Sequence, residues 1–174
     1  IVGGERKRFV PAAPGRGGLV RAVGALGVTR VGGLGSRASD GGSAVGPLAS
    51  GLAGALDAGD AGARRGVFVL VGDAFEGVEA LGRALAMASA RGATVVLVRT
   101  LTHKELPDGL EEGVTFVDPE TGVRARSGAK ASASLREHNA ALERVARRTG
   151  ARLVLAMTGD DPRAVLREAF SPRA

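Results

Sequence analysis

Three unbroken apolar runs constrain the fold of this chain most. Residues 66–71, 94–98 and 152–157 are rich in Val and Leu and contain few polar side chains. A strand with one face in water alternates apolar and polar side chains, whereas a strand covered on both faces does not. The runs therefore predict strands of a mostly parallel sheet between layers of helices, which is a Rossmann-like α/β fold.

Segments with helical spacing separate these runs. Between the first two runs, apolar residues recur every three or four positions up to Arg91 and Gly92, a cation and a stop signal that predict the end of a helix. Its inward side is Val78, Leu81, Leu85 and Ala88. Residues 135–149 predict an amphipathic surface helix, with apolar side chains on one side and arginines on the other. The apolar side is Leu135, Leu142, Val145 and Ala146, and the basic side is Arg136, Arg144, Arg147 and Arg148.

A last helix is predicted after the third run. Asp160 and Asp161 precede Pro162, and acidic residues before a proline are a common way to cap and start a helix. Its predicted inward side is Val165, Leu166, Ala169 and Phe170.

A β-hairpin is predicted between the second and third runs. Asp118, Pro119 and Gly122 suit a type I turn that joins residues 114–117 to residues 123–126. We expect this hairpin to lie at the margin of the sheet.

The first third of the chain is rich in Gly and Ala, which weakens every periodic pattern. Residues 8–11 predict a short edge strand, and residues 19–26 and 44–56 predict helices. A flexible linker is the alternative for the same segment.

Composition limits the possible functions. A chain of 174 residues fits a single domain, 1–174, and the absence of Cys excludes disulfides, thiolate zinc sites and a cysteine nucleophile. The net charge is +6, but the chain has only five scattered Phe and no Tyr or Trp. Because base stacking needs aromatic rings next to the basic residues, we expect no nucleic-acid partner. No apolar run approaches the ~18 residues of a membrane span, and we expect a cytoplasmic protein without a membrane segment.

Short motifs for catalysis are weak. His103 and His138 stand alone in the sequence, so we expect exposed or capping roles for them, and no catalytic set emerges. Asp73 is the most interesting acidic residue, because it follows the first apolar run where open α/β sheets place their ligand crevice. A turn or helix cap is the competing role for its carboxylate.

The order of motifs in the second half resembles one bacterial family. An acidic-Leu-Pro step at Glu105 is followed by a short strand from Gly113, an Asp-Pro-Glu-Thr-Gly turn from Asp118 and a closing helix-strand-helix. This order is similar to that in the von Willebrand factor A-like domains of the MoxR-associated "domain of unknown function" proteins. The resemblance implies a three-layer fold whose first strand is missing here, so that the domain is N-terminally incomplete.

The resemblance also implies a metal site. In von Willebrand A-like domains, Mg²⁺ or Mn²⁺ is held by an Asp-x-Ser-x-Ser motif, a Thr and an Asp after the fourth strand. Asp73 matches that Asp and Ser43 matches the Thr, but the Asp-x-Ser-x-Ser motif is absent from this chain. Two oxygen ligands hold a divalent ion weakly, because Mg²⁺ needs several ligands in octahedral positions. We therefore expect no cofactor, or weakly bound Mg²⁺ or Mn²⁺ if the missing motif is supplied. For Ser43, an N-cap is the alternative role.

The resemblance implies a protein-interaction or assembly module that acts with a MoxR-type AAA+ ATPase and is not an enzyme. One alternative is a Rossmann-like enzyme that binds a nucleotide or phosphosugar near Asp73 and Asp160. Another is a non-functional fragment. Loss of the first strand would expose an edge and apolar faces beside residues 67–71, so we expect marginal stability or aggregation of the isolated chain.

Overall fold

The computed structural model describes residues 46–58, 66–110, 112–117 and 124–171. In chain order, the helices and strands are α1 (Pro47–Ala58), β1 (Val67–Gly72), α2 (Val78–Ala90), β2 (Thr94–Leu101), β3 (Thr115–Val117), β4 (Arg124–Arg126), α3 (Ala129–Thr149), β5 (Arg152–Met157) and α4 (Pro162–Phe170). Two 3-10 turns, His103–Glu105 and Pro107–Gly109, follow β2.

The three apolar runs form a parallel sheet, as predicted, and its strand order is β1-β2-β5. Val69 pairs with Val96 on β2, and Val96 in turn pairs with Arg152 on β5. The central strand β2 has five consecutive buried residues, Val95 to Arg99. Its unbroken apolar run therefore reports burial on both faces, which is the usual reason for such a run.

One face of the sheet is covered by three helices. Phe68 and Leu70 of β1 and Leu97 of β2 pack there against buried residues of α1, α2 and α3. The helices contribute Leu52 and Leu56, Leu81 and Leu85, and Leu142 and Val145, respectively. The predicted apolar sides of α2 and α3 are confirmed for most of their residues. Val78 and Leu135 are only partly buried. The buried residues are Leu81, Leu85, Ala88, Leu142, Val145 and Ala146.

The opposite face is covered in part. Val165 and Ala169 of α4 pack on Val96 and Val98 of β2 and on Val154 of β5. On β1, Val67, Val69 and Val71 are 57%, 43% and 60% exposed. The prediction that every apolar run is buried on both faces is therefore wrong for β1, since α4 packs on β2 and β5 and leaves this face of β1 largely uncovered.

Helix α4 also differs from its predicted orientation. Ala169 is buried and Val165 is partly buried, but Leu166 and Phe170 are 48% and 55% exposed. The predicted inward position of Leu166 and Phe170 is wrong, because α4 contacts the sheet through a narrow stripe of two residues one turn apart. Asp161 caps this helix as predicted, and its Oδ1 accepts a hydrogen bond of 2.9 Å from Arg163 N.

The hairpin forms a sheet of its own. Strands β3 and β4 pair antiparallel, with Thr115 opposite Arg126, and form a two-stranded sheet separate from the parallel one. The pairing confirms the predicted hairpin, but its expected place at the margin of the larger sheet is wrong. The turn residues Asp118 to Gly122 lie outside the described residues.

Helix α1 corresponds to the predicted helix 44–56, and α3 begins at Ala129, before the predicted residue 135. The predicted strand 8–11 and helix 19–26 lie outside the described residues. The described part is an α/β structure compatible with a Rossmann-like fold, and the single domain 1–174 stays a prediction.

Candidate functional site

The loop after β1, residues 73–77, lies at the carboxyl edge of the parallel sheet, as predicted for Asp73. The Asp73 side chain is exposed, and its Oδ1 accepts a hydrogen bond of 3.2 Å from Phe75 N. This contact closes a turn of the Asx type, in which a carboxylate stabilises the backbone two residues on. Asp73 therefore holds its own loop in the structure. Ser43 lies outside the described residues.

Arg99, near the end of β2, contacts the same loop through its side chain. It is 4% exposed, its Nε donates 2.8 Å to the carbonyl oxygen of Asp73, and its NH1 donates 2.6 Å to Asn139 Oδ1 on α3. Its guanidinium carbon lies 5.0 Å from the centre of the Phe75 ring, a distance typical of a cation-π contact. One buried side chain thus links β2, the loop and α3.

The charge of Arg99 is costly in this position. Burial lowers the pKa of Arg99, while the negative charges of Asp73 and Glu105 act in the opposite direction. An arginine in a protein stays protonated, so the guanidinium is a buried cation. Its NH2 is buried and has no hydrogen-bond partner among the described residues.

His138 of α3 holds the next residue of the loop. Its Nε2 lies 2.8 Å from the carbonyl oxygen of Ala74. Because a carbonyl oxygen only accepts, Nε2 carries the proton. The imidazole also lies 6.0 Å from the Phe75 ring, centre to centre. Ala74 is buried and has a φ of 54°, a left-handed conformation that is uncommon outside glycine, so several contacts fix a strained residue here.

Glu76 connects the loop to α1. Its two carboxylate oxygens accept hydrogen bonds of 3.1 Å from Leu48 N and 3.2 Å from Ala49 N, the free donors at the start of that helix. A side chain at Gly46 would overlap this carboxylate, so glycine leaves the room that the contact needs. Burial raises the pKa of Glu76, with a smaller contribution from the charge of Asp73, and the two backbone hydrogen bonds partly offset the increase.

The remaining candidates have separate local roles. Asp160 Oδ2 accepts 2.7 Å from Met157 N, which closes the turn after β5. His103 is exposed at the start of a 3-10 turn that is capped by Thr102 and Glu105. The expectation of an exposed or capping role holds for His103, whereas His138 is a partly buried contact of the loop.

A concave surface lies beside the hairpin. It has a volume of about 390 Å³ and is lined mainly by Glu112, Arg126, Ser127 and the first residue of α3, Ala129. Ser127 Oγ accepts from Val114 N and donates to the carbonyl oxygen of Val114, which fastens the end of the hairpin.

The described residues at the carboxyl edge of the sheet, around the loop 73–77, do not form a donor set for a divalent ion. We call this place the carboxyl-edge crevice. No group of three or more His, Asp or Glu side chains that suits a metal occurs there. Asp73 accepts from Phe75 N, both oxygens of Glu76 face α1, and the Arg99 cation contacts the backbone of Asp73. The metal role of Asp73 and Ser43 stays a prediction, and the described donors do not fit it.

No protein-family model, curated protein or solved structure matches this chain. Among the described helices, none has the length and apolar character needed to cross a membrane.

Proposed function

We propose that the chain is a non-enzymatic protein-interaction or assembly module of the von Willebrand A-like type, which acts in the cytoplasm with a MoxR-type AAA+ ATPase. The observation that carries the proposal is the valine row, Val67, Val69 and Val71, which is largely exposed on one face of β1. A contiguous exposed apolar surface typically marks an interaction site.

The free edge of β1 extends this surface. Among the described residues, β1 pairs with β2 on one side and with no strand on the other. The backbone donors and acceptors of such an edge can pair with an added strand of a partner, while alternate side chains give specificity. The valine row provides those alternate positions.

The exposed side of α4 faces the same way. Helices α2 and α3 connect the parallel strands and cover the other face of the sheet. Such connections are right-handed. When the sheet is viewed from the side of α4 with its strands pointing up, β1 therefore lies on the right and β5 on the left. In this view α4 runs downward. In a right-handed helix that runs downward, the residue that follows one facing the sheet points to the right. Leu166 and Phe170 follow the inward Val165 and Ala169, so they point toward the valine row. We infer that the exposed apolar side chains of β1 and α4 lie on the same side of the sheet.

The loop after β1 argues against the alternative of a nucleotide- or phosphosugar-binding enzyme. Asp73 and Glu76 lie in this loop, and Glu79 lies in the first turn of α2, next to the N-terminus where a phosphate would bind. Three acidic residues oppose a phosphate there. Asp73, Glu76 and Asp160 also accept backbone hydrogen bonds that hold turns and a helix end.

The proposal of a MoxR-type ATPase as the partner rests on the motif order that resembles the MoxR-associated family. The hairpin and the closing helix-strand-helix of that pattern occur in the structure as β3-β4 and α3-β5-α4.

The test is binding of the full chain to a purified MoxR-type AAA+ ATPase, measured by calorimetry with wild type and Val69→Lys. Val117→Lys is the matched control, because Val117 is 52% exposed and lies on the hairpin. A lysine in the valine row should weaken binding by about tenfold or more, since it places a charge in an apolar contact. Equal binding of all three proteins would exclude the valine row. No binding of the wild type would refute the ATPase as its partner.

A further inference from the structure

We propose that Arg99 is the resident cation of the carboxyl-edge crevice and fixes the loop 73–77 in the place where a divalent ion would otherwise hold it. This inference is independent of the proposed partner, because it concerns what organises the crevice. It also assigns a role to a buried charge that no catalytic or binding argument has used.

The contacts of Arg99 link the loop to two other parts of the structure. It reaches the backbone of the loop through the Asp73 carbonyl oxygen and the helix α3 through Asn139, and the Phe75 ring packs near its guanidinium. A metal ion at a loop also binds carbonyl and amide oxygens, so the guanidinium engages the same kind of ligand. Its planar set of donors can contact two elements at once, which a single ammonium group does less well.

The charges around Arg99 suit one cation. Asp73 and Glu105 are the acidic groups whose charges act on the guanidinium, and both favour its protonated form. A divalent ion beside Asp73 would be repelled by this buried positive charge, because charges interact strongly where water is scarce. A metal and Arg99 therefore compete for the same crevice.

The loop also bears unfavourable features that need a fixed support. Ala74 is held at a φ of 54°, and the NH2 of Arg99 is buried without a partner in the described part of the chain. Strained residues persist only where the surrounding structure determines them fully. His138 shares this task, since its Nε2 donates to the Ala74 carbonyl oxygen.

The two histidines of the chain make the inference testable by NMR of the full chain labelled with ¹⁵N-histidine. In the wild type, the Nε2 proton of His138 should exchange slowly because it is hydrogen-bonded, and exposed His103 provides the internal control. In Arg99→Met, exchange at His138 should speed up about tenfold or more, because the loop can open. Arg99→Lys should restore part of the protection. Asn139→Ala removes one contact of Arg99 and should leave most of the protection of the His138 proton.

Metal titration provides the second measurement, with MgCl₂ or MnCl₂ added to the wild type during calorimetry and thermal melting. We expect no binding heat and the same melting temperature in excess metal and in chelator. Saturable binding that Asp73→Asn removes would overturn the inference in favour of a metal site. Unchanged His138 exchange in folded Arg99→Met would overturn it as well. If Arg99→Met does not fold, Arg99→Lys and the wild-type titration still decide the question.

Discussion

The two faces of β1 carry the same kind of side chain but have different surroundings. Phe68 and Leu70 pack against the core beneath the helices α1, α2 and α3, whereas the valine row on the opposite face is largely exposed. Because residues of one strand alternate between faces, a single sequence run reports both surfaces at once. The covered face stabilises the fold, and the exposed face is available for a partner.

A matched pair of substitutions gives the largest expected effect within this comparison. Val96 and Val69 are register partners on the same face, but Val96 is 2% exposed and Val69 is 43% exposed. Val96→Ala should lower the free energy of unfolding by about 2 kcal/mol through lost burial and a new cavity. Val69→Ala should lower it by only ~0.5 kcal/mol, since little burial is lost.

Urea denaturation of both variants measures the difference. Both substitutions remove the same two methyl groups, so the two positions differ in burial and in their place at the edge or the centre of the sheet. Equal destabilisation would mean that the valine row is covered in solution, which would remove the basis for the interaction surface.

The cap of α4 gives the next largest effect. Asp161 Oδ1 accepts a hydrogen bond from Arg163 N, and α4 alone among the described helices packs on the partly covered face. Asp161→Ala should destabilise the fold by about 1 kcal/mol, the usual cost of losing an N-cap. Thermal denaturation measures this loss, with the exposed Glu168→Ala as a control on the same helix. An effect no larger than that of the control would show that α4 contributes little to the packing of this face.

The sequence predicts the scaffold well because its signals are local. The three apolar runs and the spacing in α2 and α3 depend on neighbours within one or two turns, and all of these elements occur in the structure. The exposure of Leu166 and Phe170 could not be read from spacing, because a helical period predicts an apolar side but not how wide a surface covers it.

The crevice was predictable only in position. Asp73 lies where strand order and sheet geometry predict, but its partners come from distant parts of the chain. Arg99 and Asn139 are 40 positions apart, and His138 and Ala74 are 64 apart. One signal was available, since Arg99 directly follows the second apolar run and lies near the carboxyl end of a strand. Such a residue is buried with its strand and needs partners that sequence spacing does not identify.

The smallest expected effect is a pH dependence through Glu76, which links the loop to α1 on the covered face. Burial raises the pKa of Glu76 above its ordinary 4.5. A carboxyl group with a raised folded-state pKa contributes stability that is fully present below its ordinary pKa and is lost as pH rises through the raised value. The wild type should therefore lose stability relative to Glu76→Gln as pH rises above 4.5, because the glutamine does not titrate.

Urea denaturation at several pH values from about 4 to 7 measures this relative loss. Glu79→Gln is the matched control, since Glu79 is an exposed carboxylate in the first turn of the adjacent helix. If the wild type instead gained stability relative to Glu76→Gln with rising pH, the hydrogen bonds from Leu48 N and Ala49 N would outweigh burial. The charged carboxylate would then stabilise the start of α1, and the covered face would depend on the ionised loop.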